Sequence, residues 1–253
     1  MQSLHVDGVG LWAPGFPDAT AWGAGAEDAA VREVAGRPLP PALRRRATLL
    51  TRMVAEAAVQ AAEQAGVELG VEPLVFGSAH GEIETAVEMM RSFEGPVGLP
   101  SPTRFHNSVH NTAVGYLSIA TGNRGFVTAL AAGRETTAAT LLEASALIAV
   151  EGGGALVLLA DEPVPAPFDR EPRYLPAAAA LYVRGERSAR TRATLSALGS
   201  GGGSVAALDP RWAHHPCGGG LALVRAIVRG ERGPVALAPA DAGAWKVDVE
   251  PLT

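Results

Sequence analysis

Cys217 is the only thiol in 253 residues, and His214 and His215 precede it across Pro216. A cysteine within reach of an imidazole is a candidate nucleophile, and the three side chains together are candidate metal ligands. Both patterns are weak. Side chains two and three apart in a Pro/Gly segment need not meet in space, no acidic residue can be assigned to orient the imidazole, and a metal would need a further ligand. His106 and His110 lie four apart and share a face if their segment is helical, which places both near Asn111. They lack the intervening glutamate of a zincin. A third segment, Phe126-Val-Thr-Ala-Leu-Ala-Ala-Gly, reads as a short strand, a small-residue bend at Ala129 to Gly133 and a helix to about Val150. A side chain at the top of that helix meets unpaired backbone N–H groups and the positive end of the dipole, conditions that acidify a thiol. Leu130 stands there, and an isobutyl group has no lone pair with which to attack an acyl carbon.

The elements that must position these residues follow from periodicity. Residues 4–12 alternate as a first strand, and a Gly/Ala/Pro-rich excursion over 17–42 follows. A helix is predicted from Pro41 to Gly66, with Leu49, Met53, Ala57 and Ala61 at four-residue intervals and Arg44, Arg45 and Arg46 outside that stripe. Then come a strand at Leu74–Ser78, a helix at 82–94, a helix at 107–121 with Asn107 as its cap, and the strand–bend–helix already described. Ala155-Leu-Val-Leu-Leu-Ala reads as a buried strand whose Asp161-Glu162 tip meets solvent. Strands at 177–184 and 191–199, a linker Ser200-Gly-Gly-Gly-Ser, a helix near 219–230 and strands at 235–238 and 244–249 complete the chain. Alternating helices and buried strands indicate a layered α/β unit, a central sheet covered on both faces with later antiparallel additions.

Composition narrows the function. The formal net charge is -5, from 26 acidic and 21 basic residues, which offers no general attraction for nucleic acid. One cysteine excludes an intrachain disulfide framework and a cysteine-based zinc cluster. The N-terminus lacks a basic flank followed by an apolar signal segment, and no run reaches 18 apolar residues, so a cytoplasmic protein without a membrane span is expected. Gly8-Val-Gly-Leu-Trp-Ala lacks the third glycine of a dinucleotide fingerprint, and no phosphate-loop Lys-Ser/Thr occurs.

Several segments, in order, resemble the N-terminal half of a β-ketoacyl synthase, a member of the thiolase-like superfamily. They are Gly8-Val-Gly, the Arg45-Arg46 helix, Gly77-Ser-Ala-His-Gly, Asn107-Ser-Val-His-Asn-Thr-Ala-Val-Gly, Gly125-Phe-Val-Thr-Ala-Leu-Ala-Ala-Gly, Gly154-Ala-Leu-Val-Leu-Leu-Ala-Asp-Glu and Ala178-Ala-Ala-Leu-Tyr-Val. The resemblance covers roughly residues 5–200, and residues 201–253 read as a short helix-and-strand completion of one domain spanning 1–253. It implies an α/β fold: a thiolase-like single lobe, layered αβα with a central mixed sheet. The family's Thr-Ala-Cys-Ala-Ser-Gly elbow is Thr128-Ala129-Leu130-Ala131-Ala132-Gly133 here. Active ketosynthases also carry histidines in His-Gly-Thr-Gly-Thr and Asn-x-x-Gly-His/Phe-Gly-Gly segments of their second half. Neither segment appears, and no full second half is expected.

Within the superfamily the chain resembles the short chain-length-factor-like homologues of aryl-polyene pathways. That resemblance implies a noncatalytic subunit paired with an active full-length β-ketoacyl synthase, reaching an acyl carrier protein through the complex and shaping an acyl tunnel. No cofactor and no metal are expected. Leu130, with small neighbours Ala129, Ala131 and Gly133, becomes a tunnel wall or plug, or else packs a helix start. Met89, Met90, Phe93 and Phe105 border the acyl space or serve the core. His106, Asn107, His110 and Asn111 fix the dimer seam by hydrogen bonds or cap a helix. Arg44, Arg45 and Arg46 face an acidic carrier protein or are solvated. A homo-oligomeric carrier-binding scaffold and an autonomous acyl-thioester enzyme using Cys217 are the alternatives.

Overall fold

The computed structural model describes residues 2–93, 101–169, 173–201, 208–238 and 245–252. Eight strands form one mixed sheet: β1 (Leu4–Trp12), β2 (Leu74–Gly77), β3 (Val127–Leu130), β4 (Gly154–Asp161), β5 (Ala177–Arg184), β6 (Ala193–Ser200), β7 (Gly233–Ala236) and β8 (Trp245–Pro251). Their order is β3-β2-β4-β5-β1-β6-β8-β7, with β3, β2 and β4 parallel and every other pairing antiparallel. The central strands are buried on both faces, which explains their unbroken apolar runs. Along β4, Ala155, Val157 and Leu159 enter one core while Leu156, Leu158 and Ala160 enter the other.

Helices α1 (Ala19–Ala24), α2 (Pro41–Arg44), α3 (Leu49–Ala65), α4 (Ile83–Ser92), α5 (Pro102–Asn107), α6 (Thr112–Thr121), α7 (Thr136–Glu151) and α8 (Gly218–Arg229) complete the layers. The face carrying α7 and α8 includes an aromatic trio, Phe16, Trp22 and Trp212, in edge-on contact. The opposite face is built on α3, whose Met53, Ala57 and Ala61 stripe lies on the sheet as the four-residue spacing predicts. Its approach to β1 is close. A Cβ on Gly8 would fall 2.1 Å from the Ala61 carbonyl oxygen, and one on Gly10 would fall 2.0 Å from that of Ala57. The Gly8-Val-Gly motif therefore serves helix-on-strand packing. Because β6 pairs with β1 only at Leu4–Val6, the free N–H groups of Val9 and Leu11 donate instead to Oε1 of Gln64 and Gln60.

Two predicted helices differ in extent. Pro41–Gly66 divides into α2 and α3, because Thr48 starts a new helix by accepting the Thr51 N–H through its hydroxyl. Residues 107–121 are not one helix either: α5 ends at Asn107 and α6 begins at Thr112. Residues 202–204 of the proposed Ser200-Gly-Gly-Gly-Ser linker, the Glu94-Gly-Pro end of the helix at 82–94, part of the 163–176 loop and the start of the last strand at Ala244 lie outside the described residues.

Candidate functional site

The functional residues converge where β2, β3 and β4 end. Leu130 is the last residue of β3, opposite Gly77 of β2, and its carbonyl accepts the Ser78 N–H at 3.2 Å. It does not crown a helix as its sequence suggested. A single 3-10 turn at Gly133–Glu135 intervenes, and α7 begins six residues on at Thr136. Gly133 holds the turn at φ +55°, and the Thr136 hydroxyl donates to its carbonyl while accepting the Ala132 N–H. Leu130 is half-buried against the α7 face, whereas Ala129 packs on the α3 face. Ala131 and Gly133 are exposed.

Beside Leu130 lies a polar cluster that periodicity places wrongly. Asp161 and Glu162 are buried, not solvent-facing, because β2 and the loop before α8 close over the tip of β4. The Asp161 carboxylate accepts four hydrogen bonds: from the Ser78 hydroxyl (2.8 Å), the Ala79 N–H (3.1 Å), the His80 N–H (3.0 Å) and the Cys217 thiol (3.1 Å). Ser78 Oγ in turn accepts the Gly81 N–H. A run of apolar residues ending in acid, opposite a Ser-Ala-His-Gly turn rich in N–H donors, was the signal available in the sequence.

This cluster settles the chemistry of Cys217. Asp161 is the acid that could not be assigned from sequence, but it engages the sulfur directly. His215 Nδ1 accepts the backbone N–H of Cys217 at 3.1 Å, so its Nε2 is the protonated nitrogen and donates to the Asp161 carbonyl at 3.2 Å. The imidazole has no lone pair left for the thiol. Burial and the neighbouring Asp161 charge hold the thiol well above its ordinary pKa, and burial lowers that of His215. The side chain is 1% exposed. A protonated, enclosed thiol does not serve as an acyl acceptor. Among the described residues no group of three or more His, Cys, Asp or Glu side chains is arranged to hold a metal ion.

Glu82 and Glu162 form a second buried acidic site. Glu82 Oε1 accepts the hydroxyls of Thr48 and Thr51, joining α3 to the start of α4, and Glu162 Oε1 accepts the Glu84 N–H. The second oxygen of each is buried with no partner among the described residues. Desolvation pushes Glu82 up to about 7; desolvation, reinforced by the charge on Glu82, pushes Glu162 up to about 8. Since both values lie above those of the unfolded chain, the contribution of these two groups to stability is fully present below about pH 4.5 and is lost as pH rises through 7–8. Glu162→Gln is expected to change stability little at pH 4.5 and to raise it at pH 9 by on the order of 2 kcal/mol. Urea unfolding at the two pH values checks this, and an equal effect at both would refute the buried acid.

The seam residues separate. His106 ends in α5 with its ring against Tyr116, while His110, in the following turn, reaches the Ser78 carbonyl through Nε2 at 2.8 Å. They do not share a helical face. Asn107 caps nothing: buried, it donates to the Arg46 carbonyl and accepts the Tyr116 hydroxyl. Asn111 holds the cap position of α6 without a side-chain cap bond. The Asn107 bond draws the exposed Arg44, Arg45 and Arg46 segment against α5, which carries Arg104. Met90 and Phe93 on and after α4, and Phe105 on α5, are exposed; Met89 is partly buried, its sulfur 3.6 Å from the Ser108 hydroxyl.

The edge beside Leu130 is open. Among the described residues β3 pairs only with β2. Leu74 donates to Phe126 and Ser78 to Leu130, so in this parallel ladder Val127 and Ala129 turn their backbone groups outward. Phe126 and Val127 expose apolar side chains at this edge, and Ile119 of α6 and Leu142 of α7 are exposed apolar side chains on helices of the two opposite faces. The opposite edge strand, β7, carries Pro234, which cannot donate to an added strand.

A cleft of about 1000 Å³ opens over the same strand ends, lined by Ala79, His80, Ile83, Gly133, Arg134, residues 163–166, 168–169 and 173–175, Arg211, His214 and Pro216. Tyr174, edge-on to the His215 ring, separates it from the buried cluster.

Residues 20–233 match the β-ketoacyl synthase N-terminal domain family. The chain belongs to that family, and its mixed sheet between helical layers is the thiolase-like fold. A solved complex of a ketosynthase (ApeO) with its chain length factor (ApeC) from Xenorhabdus doucetiae contains a similar chain, 21% identical, with a TM-score of 0.74 over 99% of this chain and 100% of that one. The ishigamide ketosynthase/chain length factor gives 16% identity and a TM-score of 0.64 over 96% and 83% of the two chains. A type II polyketide ketosynthase structure with its acyl-carrier protein, AntDE:AntF, gives 16% identity and 0.60 over 85% and 73%. No curated protein sequence matches the chain. No described helix is long and apolar enough to cross a membrane.

Proposed function

We propose that this chain is a noncatalytic, chain-length-factor-like subunit, one ketosynthase-like domain that pairs with an active β-ketoacyl synthase in the cytoplasm and shapes the acyl or polyene path. The observation that carries this reading is the open β3 edge with its apolar surround, ending at a residue that brings no nucleophile. An exposed strand without proline or charge invites pairing, and surrounding apolar side chains gain by leaving water. The partner supplies the cysteine, forms the acyl thioester and decarboxylates the malonyl unit. This chain supplies wall: Leu130 at the end of the edge, and, as a further apolar group, the exposed Met90, Phe93 and Phe105 and the partly buried Met89 of the α4–α5 segment. The Arg44–Arg46 segment, held beside Arg104, offers cations to an acidic carrier protein. The relatives' names describe ketosynthase and chain length factor in complex, which supports the pairing.

Native mass spectrometry of the chain co-expressed with the full-length ketosynthase encoded beside it tests the proposal. A stable hetero-oligomer supports it; a homo-oligomer alone, or separate monomers, defeats it. Within such a complex Leu130→Trp is expected to shorten or block products while leaving the mass unchanged. Unaltered products would remove Leu130 from the acyl path.

A further inference from the structure

Helix α4 is fastened mainly at its first turn. Val87 is its only buried side chain, so packing does little to hold it. Further along, Met89 Sδ meets the Ser108 hydroxyl at 3.6 Å and Arg91 makes an exposed contact with the Ala166 carbonyl. Glu82, the residue before the helix, accepts the Thr48 and Thr51 hydroxyls at 2.9 Å each, which ties the turn to α3. Glu162, just past β4, accepts the Glu84 N–H at 3.2 Å and so caps α4 from the end of a sheet strand. Both side chains are enclosed, 1% and 2% exposed, and the Oε2 of each is buried with no partner among the described residues. Neighbouring buried acids that each lack a partner are not built to stand as two permanent anions.

The charges that act on the pair are acidic. Burial raises Glu162 most, then the charge of Glu82, with Glu84 and Asp161 adding to it; burial also dominates at Glu82, where Glu84 adds and the two threonine hydroxyls oppose. On α3, Arg52 is turned to the Thr48 carbonyl at 3.4 Å. Before α4, His80 is exposed, and His110, packed on Gly81, is bound to the Ser78 carbonyl. The Tyr174 hydroxyl donates to the Glu162 carbonyl at 3.0 Å. We propose that Glu82 and Glu162 form a proton-operated latch: protonated, they hold the first turn of α4 against α3 and the end of β4, and ionised, they release it. Two neighbouring buried anions repel each other and draw in water, and the sparsely packed helix is the element that yields. The hold is fully present below about pH 4.5 and is lost as pH rises through 7–8. Ile83 lines the cleft at the strand ends, so release of this turn widens that cleft. The latch belongs to this chain's own fold and does not depend on a ketosynthase partner.

Amide hydrogen exchange of the full chain, read by mass spectrometry at about pH 5 and about pH 8.5 and corrected for the intrinsic rate at each pH, tests the latch. Protection over residues 84–92 of α4 is expected to fall between the two pH values by at least about tenfold more than protection over residues 53–65 of α3. The double variant Glu82→Gln/Glu162→Gln cannot ionise, yet its amide oxygens still accept the two threonine hydroxyls and the Glu84 N–H. It should protect α4 equally at both pH values. Thermal unfolding verifies its fold; if it does not fold, the two single variants decide, each expected to shrink the fall by at least about threefold. A fall shared equally by α3 and α4, a smaller difference between them, or one that the glutamine variants leave intact would overturn the proposal.

Discussion

Asp161→Ala is expected to destabilise the chain by about 3–5 kcal/mol, a large share of the roughly 5–15 kcal/mol available to a protein of this kind. The cost arises from what is left behind. Removing one carboxylate strands a buried hydroxyl and a buried thiol, with two backbone N–H groups from part-buried bonds, drawn from chain segments about 80 and 56 positions away. Asp161→Asn keeps the oxygen that serves Ser78 and His80 but sets an amide NH2 against the Ala79 N–H and the Cys217 thiol, and it should fall between the alanine variant and the parent. Urea unfolding reads the stability, and the reactivity of Cys217 toward a thiol reagent reads the local packing. The parent thiol should be protected in the native state and that of Asp161→Ala accessible. A loss below about 1 kcal/mol, the worth of one ordinary hydrogen bond, together with a thiol that stays protected, would show that the carboxylate does not organise this end of the sheet.

Val127→Pro is expected to abolish association with a ketosynthase while leaving the fold of the subunit intact, weakening the complex by on the order of 100-fold or more. The N–H of Val127 points away from β2, so proline there removes a donor from the open edge and leaves the β2–β3 ladder its bonds. Thr128→Pro is the informative contrast. Its N–H faces β2, and the same ring placed one residue on should damage the sheet itself, visible as lost stability in the isolated chain. Equal complex formation by Val127→Pro and the parent, measured by native mass or sedimentation, would move the interface away from β3.

Much of the architecture is legible in the chain. The alternation of Ala155 to Ala160 between two cores follows from the two-residue period of a strand covered on both sides, and the Met53, Ala57, Ala61 stripe follows from the helical period. Less legible were the breaks. Pro41–Gly66 is periodic enough for one helix, yet α2 stops at Arg44 and a threonine hydroxyl at position 48 starts the next helix. The same failure at residues 107–121 misplaced Asn107, His106 and His110, whose partners (Arg46, Tyr116 and Ser78) come from elsewhere in the chain or across the break. The tip of β4 failed for a related reason: a charged pair after an apolar run looks solvent-bound until the donors that bury it are known.

Sequence by itself determined what the chain can do as chemistry at its most suggestive bend, because reactivity belongs to the side chain and Leu130 has none to offer. It determined the two-faced sheet as well, since period and hydrophobicity are local properties. Tertiary structure alone decided that Cys217 is a protonated, enclosed donor to Asp161, that Glu82 and Glu162 keep protons near neutrality, and that β3 is the open edge of the sheet. Each of those depends on groups brought together from distant segments. Burial, charge pairing and strand order are properties of that assembly, and no window of sequence contains them.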